Sequence, residues 1–120
     1  MKINGDHELN IEQLKVSDVL VLRLYGEFDY DTSQDFRKFT GSLPQPELSK
    51  VVINFSGIEW LDSSALSVLT AFLLMVRRLS GRIFFSNLSE RTKEVLRLSN
   101  LIMLVATAES EAAALSRLTQ

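Results

Sequence analysis

At 120 residues and 46% hydrophobic content, the chain has the material for a single domain with a real core. A formal net charge of −2 gives no overall basic footprint for nucleic acid or for an anionic membrane surface. The absence of cysteine excludes disulfides, thiolate chemistry and cysteine-ligated zinc, and fits a reducing, cytoplasmic setting. The opening MKINGDHELN has no apolar stretch for a secretory signal. The uncharged run over 63–76 is too short to cross a bilayer and ends in Arg77 and Arg78, so no direct membrane insertion is expected.

In chain order, Leu9, Ile11 and Leu14 hint at an edge strand that turns at Val16, Ser17 and Asp18. VLVLRLY over 19–25 reads as a strand closed by Gly26. Asp31 or Thr32 is expected to cap a helix carrying Phe36, Phe39 and Leu43. Asp31-x-x-Gln34 and Thr32-x-x-Asp35 both resemble capping boxes. Pro44 and Pro46 end that helix. The β-branched and aromatic run over 51–55 predicts a buried strand, after which Trp60 and Leu61 return the chain to the core. A helix follows from Ser63 to about Leu79, stopped by Gly81. RIFFS over 82–86 is a strand, and Ser89 caps a helix to about Leu98. A short strand is expected over 102–105 and a last helix over 109–118. An initial hairpin followed by β–α units implies one α/β domain, residues 1–120, with a mixed sheet of about five strands covered by about four helices.

The segment around Asp62, Ser63 and Ser64 places a carboxylate and two hydroxyls at the positive end of a helix, which suits a phosphate. Asp and Ser are also the preferred N-cap residues, and the local residues alone favour capping. Ser63 is expected to be the cap, with Ser64 opening the first turn. At 100° per residue, Ala65, Val68, Leu69, Phe72, Leu73, Met75, Val76 and Leu79 share an arc of about 160° that faces the sheet. Ser67, Thr70, Ala71, Leu74 and Arg78 lie outward. That face reads either as ordinary solvated surface with one stray leucine or as a docking surface of small residues beside the serines.

Enzyme chemistry has little to work with. His7 is the only histidine and lies in an N-terminal segment expected to be mobile. No local pattern brings it to Ser63 or Ser64 as a triad would require. Glu27, Asp29, Asp31 and Asp62 read as loop and cap residues rather than metal ligands, and no Gly-rich phosphate loop is present. No catalytic residue, metal or cofactor is expected.

Three motifs, weak singly, are specific in their order and spacing. Gly26-Glu27-Phe28-Asp29-Tyr30-Asp31-Thr32 closes a strand. Asn54-Phe55-Ser56-Gly57-Ile58 leads to Asp62-Ser63-Ser64. Gly81-Arg82 leads a strand into Asn87-Leu88-Ser89, a helix and Leu98-Ser99-Asn100-Leu101. On these the chain resembles the anti-sigma factor antagonist family of STAS-domain proteins along nearly its whole length. The resemblance implies that Ser64 accepts a phosphate and that Asp29, Asp62 and Ser63 border a partner-binding surface, to which Ser67 and Leu74 would add. It departs from the family at Ala65 and Ser67, where glycine is usual. Both substitutes are small, and Gly to Ala stiffens a helix interior by about 1 kcal/mol.

The mechanism implied by the resemblance is a partner switch. The unphosphorylated domain binds an anti-sigma factor that is also a serine kinase, phosphorylation releases it, and a metal-dependent serine phosphatase resets the domain. The alternatives are a STAS scaffold module of a stress-sensing assembly and a transporter-associated STAS subunit. A response-regulator receiver domain has similar length and α/β content. It would require an acidic pair after the first central strand and a lysine after the last, whereas Lys93 is the final lysine and precedes that strand.

Overall fold

The computed structural model describes residues 7–119, so the reading of the first six residues as no secretory signal lies outside the described residues. Among the described residues the chain forms β1 (Leu9–Val16), β2 (Val19–Gly26), α1 (Tyr30–Gly41), β3 (Lys50–Gly57) and α2 (Ser63–Arg78). These are followed by β4 (Arg82–Ser86), α3 (Glu90–Leu98), β5 (Ala106–Ala108) and α4 (Glu111–Leu118), with short 3₁₀ turns at Gln45–Leu48 and Leu101–Met103. The sheet order is β1-β2-β3-β4-β5, the same as the chain order. β1 and β2 form an antiparallel hairpin, and β2 to β5 are parallel.

This topology decides where the helices go. Crossovers between parallel strands are right-handed, and successive steps in one direction put α1, α2 and α3 on the same face. The main core fills that face. Phe28, Phe36 and Phe72 stack with ring centroids 5.2 and 5.9 Å apart, and Phe55 and Phe85 pair at 4.9 Å. α4 has no following strand and covers the opposite face, where Ala114 and Leu118 pack on Val19, Val21, Val52 and Phe84. The strand run over 51–55 is therefore buried on both sides, which is why it is apolar at every position but Asn54.

Several expectations need correction. The strand expected over 102–105 does not form. Leu101–Met103 is a 3₁₀ turn entered through Asn100 in the left-handed conformation, and the strand is Ala106–Ala108. The first helix is capped by Asp29, not by Asp31 or Thr32, and its capping box is Asp29 with Thr32. In α2 the apolar stripe is buried as expected except that Met75 is half-buried and Leu79 exposed. Trp60 is not in the core: Leu61 points inward and Trp60 remains 42% exposed.

Candidate functional site

The site is built where two strand-to-helix loops meet. Phe28 and Leu61, both buried, form a single parallel bridge beyond the ends of β2 and β3. The residue after each, Asp29 and Asp62, caps the next helix, so α1 and α2 start side by side.

Asp62 serves both helices. Its Oδ1 accepts the Ala65 N–H at 3.0 Å, which makes it the N-cap of α2, and its Oδ2 accepts the Tyr30 N–H of α1 at 2.9 Å. Asp29 Oδ1 accepts the N–H groups of Asp31 and Thr32 at 3.1 and 3.2 Å, while the Thr32 hydroxyl receives the Asp29 N–H at 3.0 Å. The Asp29 carbonyl accepts the Ser33 N–H, so the free donors of the first turn of α1 are all used.

The expectation that Ser63 caps α2 is therefore corrected: the carboxylate one residue earlier holds that position. Ser63 and Ser64 are the first and second helical residues, the former exposed and the latter half-buried. Their amides and hydroxyls take no protein partner among the described residues. Ser67 and Ala71 are exposed further along the same side, followed by Leu74 at 43% exposure. An apolar cleft of about 170 Å³ between α1 and α2, walled by Thr40, Val68, Ala71, Phe72 and Met75, borders this strip. Tyr30 and Trp60 project beside Asp62; sequence reasoning missed Tyr30 and buried Trp60. The signal for Trp60 was parity, since its neighbour Leu61 pairs with Phe28 and points in.

His7 lies beside this end. Its Nε2 lies 3.1 Å from Asp29 Oδ2 and 3.3 Å from Asp31 Oδ2. His7, Glu27 and Asp29 bring one ligand atom each within 4.8 Å of one another, among the described residues the one set with a metal-compatible spacing. Asp29 is already committed to the α1 cap, and His7 and Glu27 are exposed to water, so the spacing assigns no ion. A second polar cluster, not foreseen from sequence, lies on the α4 face. Glu111 takes a bidentate pair from Arg23 at 2.9 Å and a hydrogen bond from the Asn54 amide at 2.9 Å. The Arg23 and Asn54 hydrogen bonds hold the Glu111 carboxyl below its usual range, and the same pair raises Arg23.

The arrangement is that of a STAS domain, whose family model matches residues 10–114. The chain belongs to the STAS domain family. An anti-sigma F factor antagonist of Paenibacillus polymyxa is 24% identical over 111 residues, covering 92% of this chain and 95% of that protein. A candidate anti-sigma factor antagonist from Thermotoga maritima shares the fold with a TM-score of 0.86 at 21% identity, over 92% of this chain and 95% of that one. The Bacillus cell-fate determinant SpoIIAA, in its phosphorylated form, matches with a TM-score of 0.68 at 23% identity, over 91% and 97% of the two chains. Among the described residues no helix is long and apolar enough to cross a membrane.

Proposed function

We propose that this STAS domain is an anti-sigma factor antagonist acting in the cytoplasm. Its unphosphorylated form binds an anti-sigma factor that is also a serine kinase and so releases the client. Phosphate on Ser64 ends the binding, and a metal-dependent serine phosphatase restores it. The observation that carries this reading is that Asp62, not a serine, caps α2, which leaves both hydroxyls on the first turn without a partner among the described residues. The resemblance to the family's helix start assigns the acceptor role to the second serine. Ser63, Ser67 and Leu74 then form the docking strip, with Asp29 and Asp62 at its border.

The sign of the switch follows from electrostatics. A phosphoserine adds roughly −1.5 to −2 charges. At a helix N-terminus that charge is favoured by about 0.3–1 kcal/mol, so the isolated domain keeps its fold. In a complex the same dianion must lose water beside the Asp62 carboxylate, and binding fails.

The test begins with purified protein as bait and mass spectrometry of what it retains. Recovery of a small ATP-binding kinase, followed by ATP-dependent phosphorylation mapped by fragmentation to Ser64, supports the reading. A phosphate on Ser63, or one that survives Ser64→Ala, refutes the site. Phosphorylated protein should keep its circular dichroism and melting temperature while losing kinase affinity; equal affinity of the two forms refutes the switch.

A further inference from the structure

The whole-chain charge of −2 conceals a segregation along the domain. Each helix follows a parallel strand and runs back toward the end where those strands begin. Acids occupy first turns, as at Asp31, Glu90 and Glu111, and bases occupy last turns, as at Lys38, Arg77, Arg78, Arg97 and Arg117. Compensation of the helix dipoles explains that much. It does not explain two further features of the basic end.

The first is Arg82, which begins β4 on no helix at all. With Arg77 and Leu104 it lines a cleft of about 260 Å³ whose other walls include Leu73, Ile83 and Phe84. The second is a group of large apolar side chains in water at the same end. Leu98 and Met103 are 77% and 79% exposed, and Leu79 and Leu104 are exposed as well. Arg77 Nη1 donates to the Leu104 carbonyl at 3.2 Å, tying Arg77 to this apolar turn, while Arg82 Nη2 donates to the Arg117 carbonyl at 3.3 Å. Lys15, Lys50 and Arg97 are neutralised by Glu47, Asp18 and Glu94. Among the described residues no carboxylate lies within salt-bridge distance of Arg77, Arg78 or Arg82.

We propose that this end makes a peripheral contact with an anionic lipid surface. Leu98 and Met103 enter the headgroup region, and Arg77, Arg78 and Arg82 meet lipid phosphates. The pairing of arginines that no carboxylate neutralises with protruding apolar side chains is what selects lipid. A nucleic-acid backbone answers the charge but offers no apolar medium for Leu98 and Met103. Ser64 lies at the opposite ends of the strands, so a domain resting on a bilayer this way keeps its serine face open to protein. The contact adds to the proposed switch and does not depend on it.

The experiment is sedimentation of the whole chain with vesicles of phosphatidylcholine alone or mixed with phosphatidylglycerol. Binding is expected only to the mixed vesicles and should be reversed by salt. Arg78→Gln with Arg82→Gln should lower the partition roughly thirtyfold, with melting unchanged. In a Trp60→Phe, Met103→Trp variant the emission should shift to the blue on mixed vesicles, while Trp60 of the original protein should not respond. Three results overturn the proposal. They are no enrichment on phosphatidylglycerol, a response at Trp60 instead of at position 103, and binding to a DNA duplex of equal strength that Leu98→Ser with Met103→Ser leaves intact. The last would mark a general polyanion site.

Discussion

Replacing Asp62 with alanine removes the acceptor for two helix starts at once. The Ala65 N–H loses its cap at 3.0 Å and the Tyr30 N–H loses its partner at 2.9 Å. An N-cap Asp to Ala change costs about 1 kcal/mol. The second bond is also made to a carboxylate, but Asp62 is half-exposed and water replaces part of it, leaving about 1 kcal/mol more. The total of about 2 kcal/mol corresponds to a fall in melting temperature of roughly 8 °C for a domain of this size. Asp62→Asn keeps one oxygen and turns an amide N–H₂ toward the other donor, so it should lose about half as much. Ser63→Ala, which removes no cap, should melt with the parent protein. The assay is thermal melting by circular dichroism, with native-state hydrogen exchange at the Tyr30 amide as the local readout. A melting temperature for Asp62→Ala within about 2 °C of the parent refutes the reasoning. So does unchanged protection at Tyr30.

Asp29→Ala should destabilise by about 1 kcal/mol through loss of the α1 cap, read as a shift in urea midpoint at constant slope; a shift under about 0.3 kcal/mol would show the cap to be idle. Because Asp29 also borders the proposed interface, kinase affinity must be compared per folded molecule. Gly57→Ala should cost about 2–3 kcal/mol, since a Cβ there would lie 2.6 Å from the Leu24 carbonyl oxygen and from the Tyr25 ring; a melting temperature equal to the parent's would mean that β2 and β3 separate freely. Glu111 has its carboxyl held below the usual value near 4.5, mainly by the Arg23 hydrogen bond, so its contribution is complete above that value and fades as pH falls through the lowered one. The melting gap between the parent and Glu111→Gln should therefore be level at neutral pH and close in acid; a gap that widens in acid contradicts the assignment.

How far the sequence could be read depended on whether local chemistry or a distant partner decided each element. RIFFS over 82–86 and the Ser89 cap match the structure because strand periodicity and cap chemistry are local there. The strand expected over 102–105 failed because apolar content was taken as the signal. Leu101–Met103 is apolar yet tucks only Leu101 fully inward, while the real edge strand is Ala-Thr-Ala, with no pattern of its own beyond pairing to β4. At both helix starts the cap was placed too late. Asp29-x-x-Thr32 lacks the Glu or Gln that marks a familiar box, and Asp62 could not be told from Ser63 without the Tyr30 N–H, 32 residues away. The serine pair itself was legible, as were Ser67 and Leu74 on the outward face of α2. Its setting was not, because the bridge between Phe28 and Leu61 is made by tertiary structure alone.

Strand order that equals chain order bears on how the protein is made. As the chain leaves the ribosome, the β1–β2 hairpin meets no vacancy reserved for a later strand, and each β–α unit can add to an edge already present. The exception is the last helix. α4 crosses back over β3 and β4, and Glu111 closes on Arg23, synthesised 88 residues earlier. Until α4 emerges, Val19, Val21, Val52 and Phe84 have no cover, so the nascent chain carries an open apolar face from the completion of β2 to that of α4. Chains cut short before α4 should therefore be caught by chaperones and proteases, although every strand of the sheet is already present.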